Sequence, residues 1–123
     1  MPITSHFPTS LYYENLVPRK KKEFTKDLLK ECYQLKAMDA EGRKWSEKNY
    51  PGGYSSYQSI SNLHQMSSTF MNLESIIKKH CNKFARHLDY DLSDKELLMT
   101  DCWVNIMPHR VIHPLHLHPL FVS

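Results

Sequence analysis

Four of the eight histidines in this chain, His109, His113, His116 and His118, fall within ten consecutive residues. Imidazole binds iron, zinc, copper and nickel, and no thiolate sits beside these rings, which disfavours a structural zinc site. In an extended strand, residues i and i+2 project to the same face. The His116-Leu-His118 spacing can therefore aim two rings at one point, as a two-ligand arm of a metal site requires. His116 and His118 are the candidate metal ligands. The alternative is a pair of exposed strand histidines without an ion, because an H-x-H spacing alone is a moderate signal. His113 lies three residues before His116, on the opposite face of an ideal strand. Only a bulge at Pro114 would turn it to the same ion, so neither it nor His109 is counted as a ligand.

Other chemistries find less support. Cys32, Cys81 and Cys102 are odd in number and form no C-x-x-C pair, so they read as buried reduced thiols rather than a disulfide framework. No Ser, Cys or Asp nucleophile can be paired with a base, and no Gly-rich phosphate loop is present. The net charge of +3 is small, and its one concentrated source is Arg19-Lys-Lys-Lys22. Those cations sit at an expected helix entrance, where they oppose the helix dipole; they read as a solvated face, and nucleic acid is not expected as a partner. The first residues lack the basic and apolar regions of a signal peptide, and no apolar stretch is long enough to span a bilayer. A cytoplasmic location, with no membrane partner, is the expectation.

The elements that must carry the histidines follow from hydrophobic period. With 41% hydrophobic and 24% charged residues, the 123-residue chain has the balance of one folded domain, 1–123. The stretch 7–16, ahead of Pro18, reads as a short strand. From about Pro18 to Ala40 the period is helical: Phe24, Leu28, Cys32 and Leu35 make one apolar stripe, and Gly42 is a plausible stop. Trp45, Tyr50, Tyr54 and Tyr57 surround a tight turn at Pro51-Gly52-Gly53, as a packed loop or a substrate lip, with packing favoured. A second helix runs from about Ser67 to Leu88, with Phe70, Leu73, Ile77, Cys81, Phe84 and Leu88 on its apolar face. His80 and His87 on that helix are not assigned as ligands. Ser93-Asp-Lys-Glu96 matches a capping box and would open a helical turn or form a polar corner. From Leu98 the period becomes two: Leu98, Thr100, Cys102, Val104 and Ile106 face one way, and Met99, Asp101, Trp103, Asn105 and Met107 the other. A further strand is expected from Val111 to Leu117. The order is α+β, with helices gathered before a mainly antiparallel sheet.

Trp103-Val-Asn-Ile-Met107 followed by His113-Pro-Leu-His-Leu-His-Pro119 resembles the 2-oxoglutarate and Fe(II)-dependent oxygenases, in which a W-x-N strand precedes an H-x-H-P motif. Phe7-Pro-Thr-Ser-Leu-Tyr12 is similar to that family's opening strand, and Trp45 with Gly52-Gly-Tyr-Ser-Ser56 to its W…GGYxS segment, so the likeness covers nearly the whole chain. The resemblance implies two N-terminal helices packed on a partial double-stranded β-helix (jelly-roll) sheet. It implies Fe(II) as cofactor and 2-oxoglutarate as co-substrate, for hydroxylation of a small-molecule or protein substrate. It makes His116 the first iron ligand, puts His118 where an Asp or Glu usually stands, and gives Asn105 a hydrogen-bonding role at the catalytic site. The family continues beyond this motif with an SG-x-YY strand, a distal His ligand and an Arg for the co-substrate carboxylate. Here the sequence closes at Leu120-Phe-Val-Ser123. The expectation is therefore a partial barrel with two-thirds of an iron site, inactive as this chain alone and prone to homo-oligomerisation through exposed sheet edges. Two rivals remain: a cupin-like metal protein, although Val122 and Ser123 stand where its glutamate belongs, and a non-enzymatic metal-binding or oligomerisation module.

Overall fold

The structure, a computed structural model, describes residues 2–16 and 22–116. Helix α1, Lys22–Met38, forms on the expected stripe, with Glu23 in its first turn and Lys36 in its last, both favourable to the helix dipole. Leu28, Cys32 and Leu35 of that stripe pack against the core. The chain then bends at Asp39 and starts again as α2, Ala40–Asn49. Asp39 serves both helices. Its backbone N–H still donates to Leu35 O at 2.9 Å, and its carboxylate caps α2 by accepting from Gly42 N. Arg43 closes the joint by donating to the carbonyls of Lys36 and Ala37, two acceptors that the end of α1 leaves unmet.

Gly42 is therefore not a stop signal but a buried residue inside a helix. A Cβ there would lie 1.9 Å from Asp39 Oδ2 and 2.6 Å from Ser59 Oγ, so the position admits no side chain without displacing its neighbours.

After the turn come strand β1, Tyr54–Ser55, a short helix α3, Leu63–Met66, and the long helix α4, Ser68–His87. Ser67 caps α4, accepting from Phe70 N. The Ser67 and Thr69 hydroxyls both donate to Glu31 of α1, which ties the start of α4 to α1. Phe70 at the head of α4 is buried and Leu73 packs on the core, whereas Cys81 and Leu88 at its far end are exposed. The Ser93 segment is a polar corner: Ser93 donates through both N–H and hydroxyl to Asp91.

The expected jelly-roll sheet is not formed. Among the described residues, strand structure amounts to β1 paired antiparallel with β2, Asn105–Ile106, in the register Tyr54↔Ile106 and Ser55↔Asn105, and an isolated bridge from Asn62 to Cys102. The helices dominate instead. Alternation of side chains is required for a strand, but a strand also needs a ladder partner along its length. Residues 102–106 have one: Cys102 N donates to Ser61 O, Leu63 N to Cys102 O, and Ser56 N to Val104 O. One partner side chain also occupies a ladder position: Val104 N donates to Ser56 Oγ, while the Ser56 carbonyl accepts from Ser59 N and Ile60 N instead. Residues 98–101 and 111–116, expected as strand, are irregular.

The expected strand over 7–16 is likewise absent from its described part. Tyr12 anchors that segment, with its ring against Phe84 and His80 and its hydroxyl 2.7 Å from His80 Nδ1. Ile3, Phe7, Leu11 and Tyr13 stand exposed. The core is small: Tyr54, Leu63, Phe70 and Val104, with Leu28, Cys32, Leu35, Ile60, Leu73, Cys102 and Ile106 around them. Among the described residues no helix is long and apolar enough to cross a membrane.

Candidate functional site

The candidate site stands on a polar hub beneath the turn. The Asp39 carboxylate accepts from Tyr54 Oη at 2.8 Å, Ser59 Oγ at 2.5 Å and Gly42 N at 2.8 Å. Burial works against its charge, but the bonds from Ser59, Gly42 and Tyr54 and the charge of Arg43 outweigh it, so the carboxyl titrates below its ordinary value. Tyr54 is fully buried, and that burial, followed by its bond to Asp39 and the charge there, raises its phenol pKa. Ser46 completes the hub, donating to Gly42 O and accepting from Ser55 N.

From this base the chain turns at Pro51-Gly52. Gly52 adopts φ +85°, a region that suits glycine. Gly53 lies so close to the segment before the histidines that an added Cβ would fall 2.7 Å from Met107 Sδ and 3.0 Å from Val111 Cγ1. That segment has a turn of its own: Val111 N donates to Pro108 O at 3.2 Å, and Arg110 sits at φ +70°. The Pro108–Val111 turn sends the histidine arm back across the first turn. There the Tyr50 ring meets His113 with centroids 5.2 Å apart.

His113 and His116 then meet each other, centroids 5.1 Å apart and planes at 64°. Strand parity puts these two on opposite faces; the structure places them side by side because residues 111–116 are not a strand. That is the geometry of an edge-on ring contact. His116 Nδ1 lies 3.2 Å from Pro114 O. With the proton on Nδ1, that contact orients the ring and makes Nε2 its basic nitrogen, the arrangement common in metal-bound histidines. His118 lies outside the described residues. Among those described, no three His, Cys, Asp or Glu side chains converge as a metal-holding group, so the described donor set is the imidazole pair. His113 is the residue missed by strand reasoning; the legible signal was Pro114, which breaks strand regularity between the two rings.

Asn105 occupies β2 opposite Ser55, positioned by backbone pairing, with its residue exposed. Around it the aromatic residues of the turn region run in one line. Trp103 packs edge-on to Tyr57 at 5.0 Å, Tyr57 lies 6.2 Å from Trp45, and Trp45 packs edge-on to Tyr50 at 5.6 Å. Tyr50 continues to His113. The turn aromatics are thus packed together, apart from Tyr54, which turns inward to Asp39.

Cys32 and Cys102 are held back as nucleophiles, whereas Cys81 is exposed. Burial raises the Cys32 pKa, helped by Glu31; burial also raises Cys102, with Glu74 adding and a bond to the His64 backbone opposing. His64 is itself 3% exposed, and neither ring nitrogen has a hydrogen-bond partner among the described residues. No family model and no curated protein matches the chain.

Proposed function

We propose that this chain supplies the imidazole arm of an Fe(II) site in a 2-oxoglutarate-dependent oxygenase, with His116 and His118 as ligands and Asn105 as a polar neighbour. One observation carries the reading. The two segments on which the resemblance rests, GGYSS at 52–56 and W-x-N at 103–105, lie some fifty residues apart in sequence yet pair directly as β1 and β2. The histidine arm folds back onto the Pro51-Gly52 turn that leads into β1, through Tyr50. When bound, Fe(II) with 2-oxoglutarate and O₂ supplies the oxidant for hydroxylating a C–H bond. This chain's own residues hold and orient the imidazoles: the Pro114 carbonyl sets the His116 ring, and Tyr50 backs His113. Three free thiols support a reducing, cytoplasmic setting.

Anaerobic Fe(II) titration tests the assignment. His116→Ala and His118→Ala are each expected to weaken binding by at least ~10-fold. Added 2-oxoglutarate should tighten Fe(II) binding, and Fe(II) should tighten 2-oxoglutarate binding by the same factor. Equal Fe(II) affinity in wild type and His116→Ala, or an affinity indifferent to 2-oxoglutarate, sinks the reading.

A second reading is favoured by the exposed Ile112 and Leu115 that flank the imidazoles. Apolar residues beside metal-binding rings suit an arm covered by another copy of the chain, with Zn(II) or Ni(II) bridging the two. Size-exclusion chromatography separates the cases. Dimers that appear only with Zn(II) or Ni(II), and are lost in His116→Ala, belong to this second reading.

A further inference from the structure

The C-terminal half of α4 carries a polar row that neither the hub nor the imidazole arm uses. Lys78, Asn82 and Arg86 recur every four residues and so share one face of the helix. Beyond the helix the chain turns back along that face. Tyr90 N donates to Ala85 O at 3.0 Å and Asp89 N to Arg86 O at 3.1 Å, with Asp89 at φ +57°. Those crossed bonds are the helix ending in which glycine usually takes the left-handed position; here Asp89 holds it. A tight turn follows, in which Ser93 donates through N–H and hydroxyl to Asp91, and Lys95 N donates to Leu92 O. Glu96 then pairs with Lys78 and fastens the loop to the helix.

Between helix and loop lies an open cavity of about 510 Å³, within the roughly 300–1,000 Å³ usual for small-molecule sites. The helix lines it with Lys78, Asn82 and Arg86, and the loop with Tyr90, Ser93 and Lys95. The Glu96 carboxylate at its edge is matched by Lys78. The other two cations are not balanced. Among the described residues the ion pairs are Lys26–Glu23 and Lys78–Glu96. Arg86 spends Nε on Asn82 O at 3.3 Å, and neither its terminal nitrogens nor Lys95 Nζ meets a carboxylate there. Attraction to the helix C-terminus accounts for Arg86 in the last turn. It does not account for Lys95, which a separate segment brings to the same hollow.

We propose that this cavity binds a small organic phosphate monoester, with Arg86 and Lys95 on the phosphate and Tyr90, Asn82 and Ser93 on the organic part. A phosphate monoester carries about two negative charges at neutral pH and three acceptor oxygens, which suits two cations without counter-charges. The Arg86 fork can take two of those oxygens, and Lys95 supplies a point charge. The Tyr90 ring offers an apolar face. The Ser93 hydroxyl proton is committed to Asp91, so its oxygen is left to accept from a ligand hydroxyl. Bare phosphate would leave most of the cavity unfilled. Sugar phosphates and nucleoside monophosphates share the required chemistry. The site uses no residue of the Fe(II) reading and stands without it.

Isothermal titration calorimetry on the full-length protein, at low ionic strength, tests the site with adenosine 5′-monophosphate, ribose 5-phosphate and inorganic phosphate as probes. At least one ester is expected to bind several-fold more tightly than inorganic phosphate, and to move amide resonances within residues 78–96. Arg86→Gln and Lys95→Gln, both at exposed positions, should each weaken that ester by about 10-fold, as loss of a charged hydrogen bond does. Lys44→Gln, an exposed cation outside the cavity, should leave the affinity unchanged. Circular dichroism confirms that each variant is folded. Tighter binding of the adenosine ester, with the margin lost in Tyr90→Leu, identifies a nucleoside phosphate; equal or tighter binding of ribose 5-phosphate identifies a sugar phosphate. No binding of either ester at millimolar concentration, equal affinity for inorganic phosphate, or unchanged affinity in both Arg86→Gln and Lys95→Gln overturns the proposal.

Discussion

Asp39→Ala removes the acceptor on which α2, β1 and the Ser59 loop converge, and its cost can be built from the bonds lost. The α2 N-cap goes first, a loss of about 0.5–2 kcal/mol. Tyr54 Oη, fully buried, then has no partner in place of the carboxylate, and a buried donor left unmet costs about 1–3 kcal/mol. Ser59 adds little, since its hydroxyl already lies 3.3 Å from Ser56 O and can turn to it. The total is about 1.5–5 kcal/mol, a large share of the ~5–15 kcal/mol that holds a typical domain. Urea denaturation followed by circular dichroism measures it. Tyr54→Phe should cost less, because the carboxylate keeps two donors, and the double variant should show a coupling of about 1–3 kcal/mol, as directly bonded pairs do. The acid limb has a defined sign. Asp39 titrates lower folded than unfolded, so its contribution is complete above about pH 4 and fades as pH falls through the folded-state value. Asp39→Asn should flatten that fall. A cost for Asp39→Ala within about 0.5 kcal/mol, the range of an ordinary surface change, would refute the hub.

Three further outcomes follow from the packing. Gly42→Ala puts a Cβ within 1.9 Å of Asp39 Oδ2 and should destabilise by about 1–3 kcal/mol through overpacking, read as a lower urea midpoint; an unchanged midpoint contradicts the close approach. His64→Leu replaces a buried ring whose nitrogens lack partners among the described residues and should be neutral or stabilising by up to about 1 kcal/mol, so a clear loss in thermal melting would mean those nitrogens are bonded in solution. Glu31→Gln weakens the hydroxyl bonds that join α1 to the start of α4 and should cost about 1–2 kcal/mol, with faster amide exchange in the first turn of α4 as the local signature.

Where side chains alternate between apolar and polar on a helical period, the sequence was readable. Phe24, Leu28, Cys32 and Leu35 announce α1, and Phe70, Leu73 and Ile77 announce α4. Helix α2 was not legible, because AEGRKWSEKN has no apolar stripe. It packs through Gly42 and Ser46, small residues that contribute contact and hydrogen bonds but no hydrophobic period. The inward parity of Cys102, Val104 and Ile106 was legible, whereas the shortness of the strand was not, since the Ser56 hydroxyl takes a ladder position. Among candidate site residues, His116 was singled out with His118 by clustering and by i, i+2 spacing, and His118 lies outside the described residues. The ring that His116 meets in the described structure, His113, could not be, because a turn at Pro108–Val111 and irregular backbone beyond it replace the strand geometry that i, i+2 reasoning assumes.

The hub and the aromatic series are two faces of one segment, and their arrangement inverts the usual order. Along 45–57, Ser46, Ser55 and Ser56 go inside while Trp45, Tyr50 and Tyr57 stay at or near the surface. Three buried hydroxyls are tolerable only because each is bonded: Ser46 to Gly42 O and Ser55 N, Ser55 Oγ to Tyr57 N, Ser56 to Ile60 O and Val104 N. With small polar groups beside it, Tyr54 turns inside to Asp39, while Trp45, Tyr50 and Tyr57 pack against one another further out. Packing energy alone would send tryptophan in and serine out. The fold instead satisfies an interior of serines by hydrogen bonding, and its two tryptophans stay partly buried in ring contacts with Tyr50 and Tyr57.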